Sequence, residues 1–106
     1  MSRKIEADMI SAIFAKKDFT RDNTQVRFDG NNWRVILHNT AIAQCENGIL
    51  RLATGGWKTT TTKSRLNAIL RHFGKGGIFQ KDGTWYWTYS GRGETVEFFD
   101  GMQCEI

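Results

Sequence analysis

The chain of 106 residues has no proline, only two cysteines, and not one acidic residue between Asn47 and Lys81. Each absence excludes something. Without proline there is no X-Pro bond, so no slow prolyl phase is expected in refolding. Two cysteines, Cys45 and Cys104, are too few for a disulfide scaffold, and two free thiols are expected. With His38 and His72 they lack the close ligand spacing of a zinc site, so no metal or other cofactor is implied. No apolar run approaches the roughly 18 residues of a membrane span, and the N-terminus lacks a signal-like apolar core. A cytoplasmic protein, away from membranes, is the expectation.

What is present fits a single α+β domain over residues 1–106. An apolar fraction of 40% and a charged fraction of 25% are those of a folded chain, not a disordered one. Ile5, Met9, Ala12 and Ile13 recur at helical spacing, with Ile10 and Phe14 widening the stripe, so a helix is expected from Arg3 to Lys16 with Ser2 as its N-cap. The polar segment from Asp18 to Asn23 reads as a loop. Alternating runs from Gln25 to Ala53 then read as a meander, turning at Asp29-Gly30, Asn39-Thr40 and Asn47-Gly48. Leu66, Ile69, Leu70 and Phe73 make a second helical stripe, with Thr61 or Thr62 as cap and Gly74 as left-handed stop. A second meander follows through Ile78, Trp85, Trp87, Tyr89 and Val96, turning at Asp82-Gly83 and at 90–93. The expected order is α-β-β-β-β-α-β-β-β, with both helices on largely antiparallel structure.

The acid-free window carries Arg51, Lys58, Lys63, Arg65, Arg71, Lys75 and Lys81, while the rest of the chain has eight basic and eleven acidic residues. A charge of +7 set against −3 describes a polarised molecule, whose field draws an anion to one side. Within the window, Trp57-Lys58-Thr59-Thr60-Thr61-Thr62-Lys63-Ser64-Arg65 runs into the second helix. Leading helix N–H groups are unpaired and favour anions, whereas cations in a first turn cost up to about 1 kcal/mol. Lys63 and Arg65 there suit binding better than stability. Trp57, Lys58, Thr59, Thr60, Thr61, Thr62, Lys63, Arg65, Asn67 and Arg71 are therefore the candidate nucleic-acid contacts, with Lys75 and Lys81 at the rim. The plainer reading is a solvated helix face. Trp85, Trp87 and Tyr89 alternate on one strand face, which is either a stacking platform or, more commonly, core. No nucleophile, acid–base pair or phosphate loop has local support, so no enzyme is expected.

The run Gly55-Gly56-Trp57-Lys58-Thr59-Thr60-Thr61-Thr62-Lys63-Ser64-Arg65-Leu66-Asn67, followed by Phe79-Gln80-Lys81-Asp82-Gly83-Thr84-Trp85-Tyr86, resembles small proteins of tailed bacteriophages. Leu37 to Ala43 resembles a segment those proteins place upstream. The likeness covers residues 33–87 and brings no catalytic or binding residue with it. It implies the cytoplasm of a phage-infected bacterium. Nucleic acid, DNA or RNA, is the expected partner. A protein–protein inhibitor or adaptor acting on a host enzyme or defence system is the alternative, and oligomeric state is left open.

Overall fold

A computed structural model describes residues 2–88 and 94–106, with side chains from Lys4 onward. Ser2 as a cap, Tyr89, and the turn at 90–93 lie outside the described side chains or residues. The architecture is α+β. Helix α1 (Ser2–Ala15) is followed by β1 (Phe19–Arg21), β2 (Thr24–Asp29), β3 (Asn32–Leu37), β4 (Thr40–Glu46) and β5 (Ile49–Leu52). Helix α2 (Thr60–His72) then leads to β6 (Gly77–Lys81), β7 (Thr84–Thr88), β8 (Thr95–Glu97) and β9 (Met102–Glu105). The expected order α-β-β-β-β-α-β-β-β is thus one strand short on each side of α2.

The extra strands have separate causes. Phe19-Thr20-Arg21, expected as loop, has no alternating stripe, but Asp22 takes a positive φ of 51° and folds it back on β2 as an antiparallel edge, with Phe19 packed against the core. The terminal strand leaves the second meander and returns to the first, pairing antiparallel with β5. The result is a six-stranded sheet, β1-β2-β3-β4-β5-β9, and a three-stranded sheet, β6-β7-β8. Turn chemistry fixes most of the registers. Asn47-Gly48 and Asp82-Gly83 carry positive φ at both positions, as two-residue hairpins require. The turn expected at Asn39-Thr40 falls one residue earlier, on His38 and Asn39, both also at positive φ.

Alternation decides the faces. Val26, Trp33, Val35, Leu37, Leu50 and Leu52 point into the core, where Met9 and Ile13 of α1 and Leu66, Ile69 and Leu70 of α2 cover them. A bulge between Val35 and Ile36 pairs Val35 with Ala43 and Ile36 with Ala41. Its extra residue lets Ile42 and Ala43, consecutive in sequence, both be buried. Trp85 and Trp87 are 2% exposed and belong to the same cluster, so the aromatic strand is core and not a stacking platform. The Trp87 indole donates to the Lys75 carbonyl, which satisfies its buried N–H.

Both helices end in the way their last residues dictate. At α2, the amide of Gly74 (φ 68°) donates to the Arg71 carbonyl and that of Lys75 to Leu70, a Schellman closure. Lys16 and Lys17 make the same pair of bonds at α1, with Lys16 forced to a positive φ of 57°. The helices run side by side in the same direction. Glu6 near the start of α1 meets Ser64 and Arg65 near the start of α2, and Phe14 meets His72 near their ends.

Cys45 and Cys104 face the core from β4 and β9, each opposite Leu50 on the strand between them. Two strand spacings, about 9–10 Å, separate their backbones, too far for a disulfide. Burial pushes both thiols above their ordinary pKa; for Cys104, Lys75 opposes this and Cys45 adds to it. Less thiolate at neutral pH means slow alkylation. Titration with a thiol reagent should therefore count two free thiols on unfolding, both reacting far faster than in the native protein. An intact mass two hydrogen atoms lighter before reduction would contradict this arrangement.

Candidate nucleic-acid interface

Helix α2 is capped by Thr59, not by Thr61 or Thr62. The Thr59 hydroxyl accepts from the Thr62 amide at 3.1 Å and its backbone is extended, the geometry of an N-cap. Thr62 is buried and its hydroxyl lies 3.0 Å from that of Thr59, so this threonine serves the cap and the core. Thr61 opens toward the sheet and Thr60 toward α1. The start of α2 therefore separates two depressions, which divide the expected contact residues between them.

The first is a groove of about 890 Å³ between the two helices. Thr60, Lys63, Asn67 and Arg71 line it from α2, at spacings of three and four residues that repeat along one helix face. Its α1 wall is Glu6, Ala7 and Ile10. Neither Lys63 nor Arg71 has an acid within ion-pair distance among the described residues. Glu6, the one acid in the lining, accepts from Ser64 and, at 2.8 Å, from the Arg65 guanidinium. The groove is therefore cationic.

The second depression is an apolar cleft of about 390 Å³ lined by Leu37, Ile42, Trp57 and several threonines, with His38 at its edge. Trp57 is 66% exposed beside it. The loop that carries Trp57 is firmly held. The Asp100 carboxylate accepts from the Thr54 amide, the Thr54 hydroxyl and the Gly55 amide, at 2.8, 2.9 and 2.9 Å. Gly55 sits at φ +62° with a Cβ position only 2.6 Å from the Thr40 methyl, so a larger residue there is strained and has to displace Thr40.

Two expected contacts are withdrawn by this geometry. Arg65 is 3% exposed, because it lies next to Leu66 and four residues before Ile69 on the inward side of the helix. Its Nε donates to Thr24 of β2 at 3.1 Å and its Nη1 to Glu6. Asn67 borders the groove, yet its amide is committed to the β6 edge: Nδ2 donates to the Ile78 carbonyl and Oδ1 accepts from the Ile78 amide. Both ends of the amide are thereby fixed on the strand backbone, which holds it against β6 rather than turned out to a base edge. Lys58 and Lys81 are exposed away from the groove lining, and Lys75 follows α2 at the second sheet.

A family model described as Kyanoviridae Gp96 protein matches residues 2–105. The chain belongs to that family. It is a family of phage proteins, in agreement with the expected phage kinship. No curated protein and no solved structure matches the chain. In this Gp96-family fold, none of the helices among the described residues is long and apolar enough to cross a membrane. Nor do the described residues gather three potential metal ligands.

The fold also exposes a row that the sequence hid. On the outer face of the six-stranded sheet, Arg27, Arg34, Gln44, Arg51 and Gln103 stand opposite one another on successive strands. Arg27 is tied to Asp18 at 3.7 Å. Neighbours in this row are 7 to 52 positions apart in sequence, and only the register gathers them.

Proposed function

We propose that this phage protein binds nucleic acid through the groove between α1 and α2. Lys63 and Arg71 contact phosphates and Thr60 adds a hydroxyl. What carries the reading is the pair of cations that have no ion-pair partner among the described residues, over a groove whose lining carboxylate, Glu6, is already paired with Arg65. The role is accessory and non-enzymatic. A salt-sensitive affinity follows, since binding releases counterions from the phosphates.

The test is fluorescence anisotropy against labelled DNA and RNA over a range of salt. The Lys63→Ala, Arg71→Ala double variant should bind about tenfold more weakly, with the log–log salt slope shallower by about two. Arg34→Ala, Arg51→Ala removes the same charge from the opposite side of the sheet and should change little. Equal weakening by both pairs would reduce the effect to net charge and remove the groove from the reading.

A host-protein adaptor is the second reading, favoured by one observation. An exposed tryptophan on a fixed loop beside an apolar cleft is the chemistry of an interface anchor. A stoichiometric partner that survives nuclease treatment and is lost with Trp57→Ala would select it.

A further inference from the structure

We infer that the groove takes a single strand, with an unpaired base laid against Phe14 and His72 at its far end. The inference rests on the nucleic-acid reading above and names the kind of nucleic acid. It starts from Phe14, which is 80% exposed on the flank of α1 while Ile5, Met9 and Ile13 on the same helix are buried. Burial of a phenylalanine is favourable, and this one is left in solvent. It is not left unsupported.

The His72 ring, which lines the groove, meets Phe14 edge-on with centroids 6.3 Å apart. His72 in turn stands edge-on to Phe73 at 4.8 Å, and Phe73 stacks on buried Trp33 at 5.9 Å. Phe14 is the solvent end of a chain of four rings anchored in the core. A ring held this way keeps its place without a ligand, so stacking on it costs little ordering.

The charge around this ring points to nucleic acid rather than to an apolar protein segment. Arg71 precedes His72 in the groove wall, and Lys17 follows the end of α1. The acids of this region are engaged elsewhere: Asp8 with Lys4 and Arg21, Asp18 with the Phe28 amide and Arg27, and Glu6 with Arg65. A cationic groove ending in an aromatic ring is the combination by which single strands are held. Duplex bases are stacked on one another and offer no free face to such a ring.

The experiment compares Phe14→Ala with wild type, using labelled single-stranded oligonucleotides and a duplex of equal length at low salt. Single-strand affinity should fall about 5- to 150-fold, the worth of one stacked base, and duplex affinity should hold. Phe14→Trp should retain binding, and the melting temperature should be unchanged in both variants because the side chain is exposed. If Lys63→Ala, Arg71→Ala weakens binding but Phe14→Ala does not, the groove stands and the stacked base is overturned. A wild-type preference for duplex overturns it equally. If neither variant matters, the nucleic-acid reading itself fails and takes this inference with it.

Discussion

Arg65→Ala should destabilise the protein by about 3–5 kcal/mol, the range for breaking one side of a buried ion pair. The guanidinium joins three elements at once. It donates to Glu6 of α1 and Thr24 of β2 from its own place on α2. Removing it leaves the Glu6 carboxylate, whose side chain is only 13% exposed on the groove wall, without its cation and still accepting from Ser64. The helices also lose one of the contacts that join them beside the groove. Against a typical total stability of about 5–15 kcal/mol, this is a large fraction. Urea unfolding followed by circular dichroism measures it directly.

The double variant Arg65→Met, Glu6→Gln separates pairing from packing. It removes both charges and keeps volume, so it should be clearly less destabilised than the sum of its parts. An Arg65→Ala protein as stable as wild type but weak for nucleic acid would instead restore Arg65 to the binding surface. Until stability is measured, lost binding in an Arg65 variant says nothing about contact.

Why Arg65 read as a surface residue shows where sequence legibility ends here. Both helices, the Trp85 and Trp87 core face, and the Asn47-Gly48 and Asp82-Gly83 hairpins follow from local period and turn chemistry. Arg65 also had a local signal, since Thr62, Leu66 and Ile69 share its side of α2 and all are buried. What the sequence lacks is the partner: Glu6 is 59 residues away, and only the parallel placement of α1 brings it level. Asn67 fails in the same way. Its amide matches the β6 backbone because the chain after Gly74 doubles back alongside α2. Lys63 and Arg71 were legible as a basic face, whereas the groove between them and α1 was not. Phe14 was counted into an apolar stripe whose width exceeds what the sheet covers. The return of β9 to β5, and the arginine row across the sheet, depend on pairings that no local pattern encodes.

Asp100→Ala should cost about 2–3 kcal/mol and loosen a loop that Asp100 never shares a strand with. The carboxylate reaches back 46 residues to satisfy the amide and hydroxyl of Thr54, which is 1% exposed, and the Gly55 amide. Alanine leaves the amide and hydroxyl of buried Thr54 without an acceptor, while the exposed Gly55 amide is released to water. The Thr54 hydroxyl also accepts from the Gly56 amide at 3.1 Å, and the Trp57 amide donates to the Thr54 carbonyl. Disorder at Thr54 therefore propagates to Trp57. Asp100→Asn keeps one acceptor oxygen and should lose about half as much. Hydrogen exchange gives the local readout: the Gly55 amide should exchange many-fold faster in Asp100→Ala than global unfolding allows. Unchanged protection there would mean that the Gly55 seat against Thr40 holds the loop unaided. With faster exchange, any partner that recognises Trp57 should bind Asp100→Ala more weakly, although Asp100 is not among the residues lining the cleft. Nucleic acid held in the groove between the helices should not notice the change. That difference makes a residue on the β8–β9 connection the sharpest way to tell the two surfaces apart.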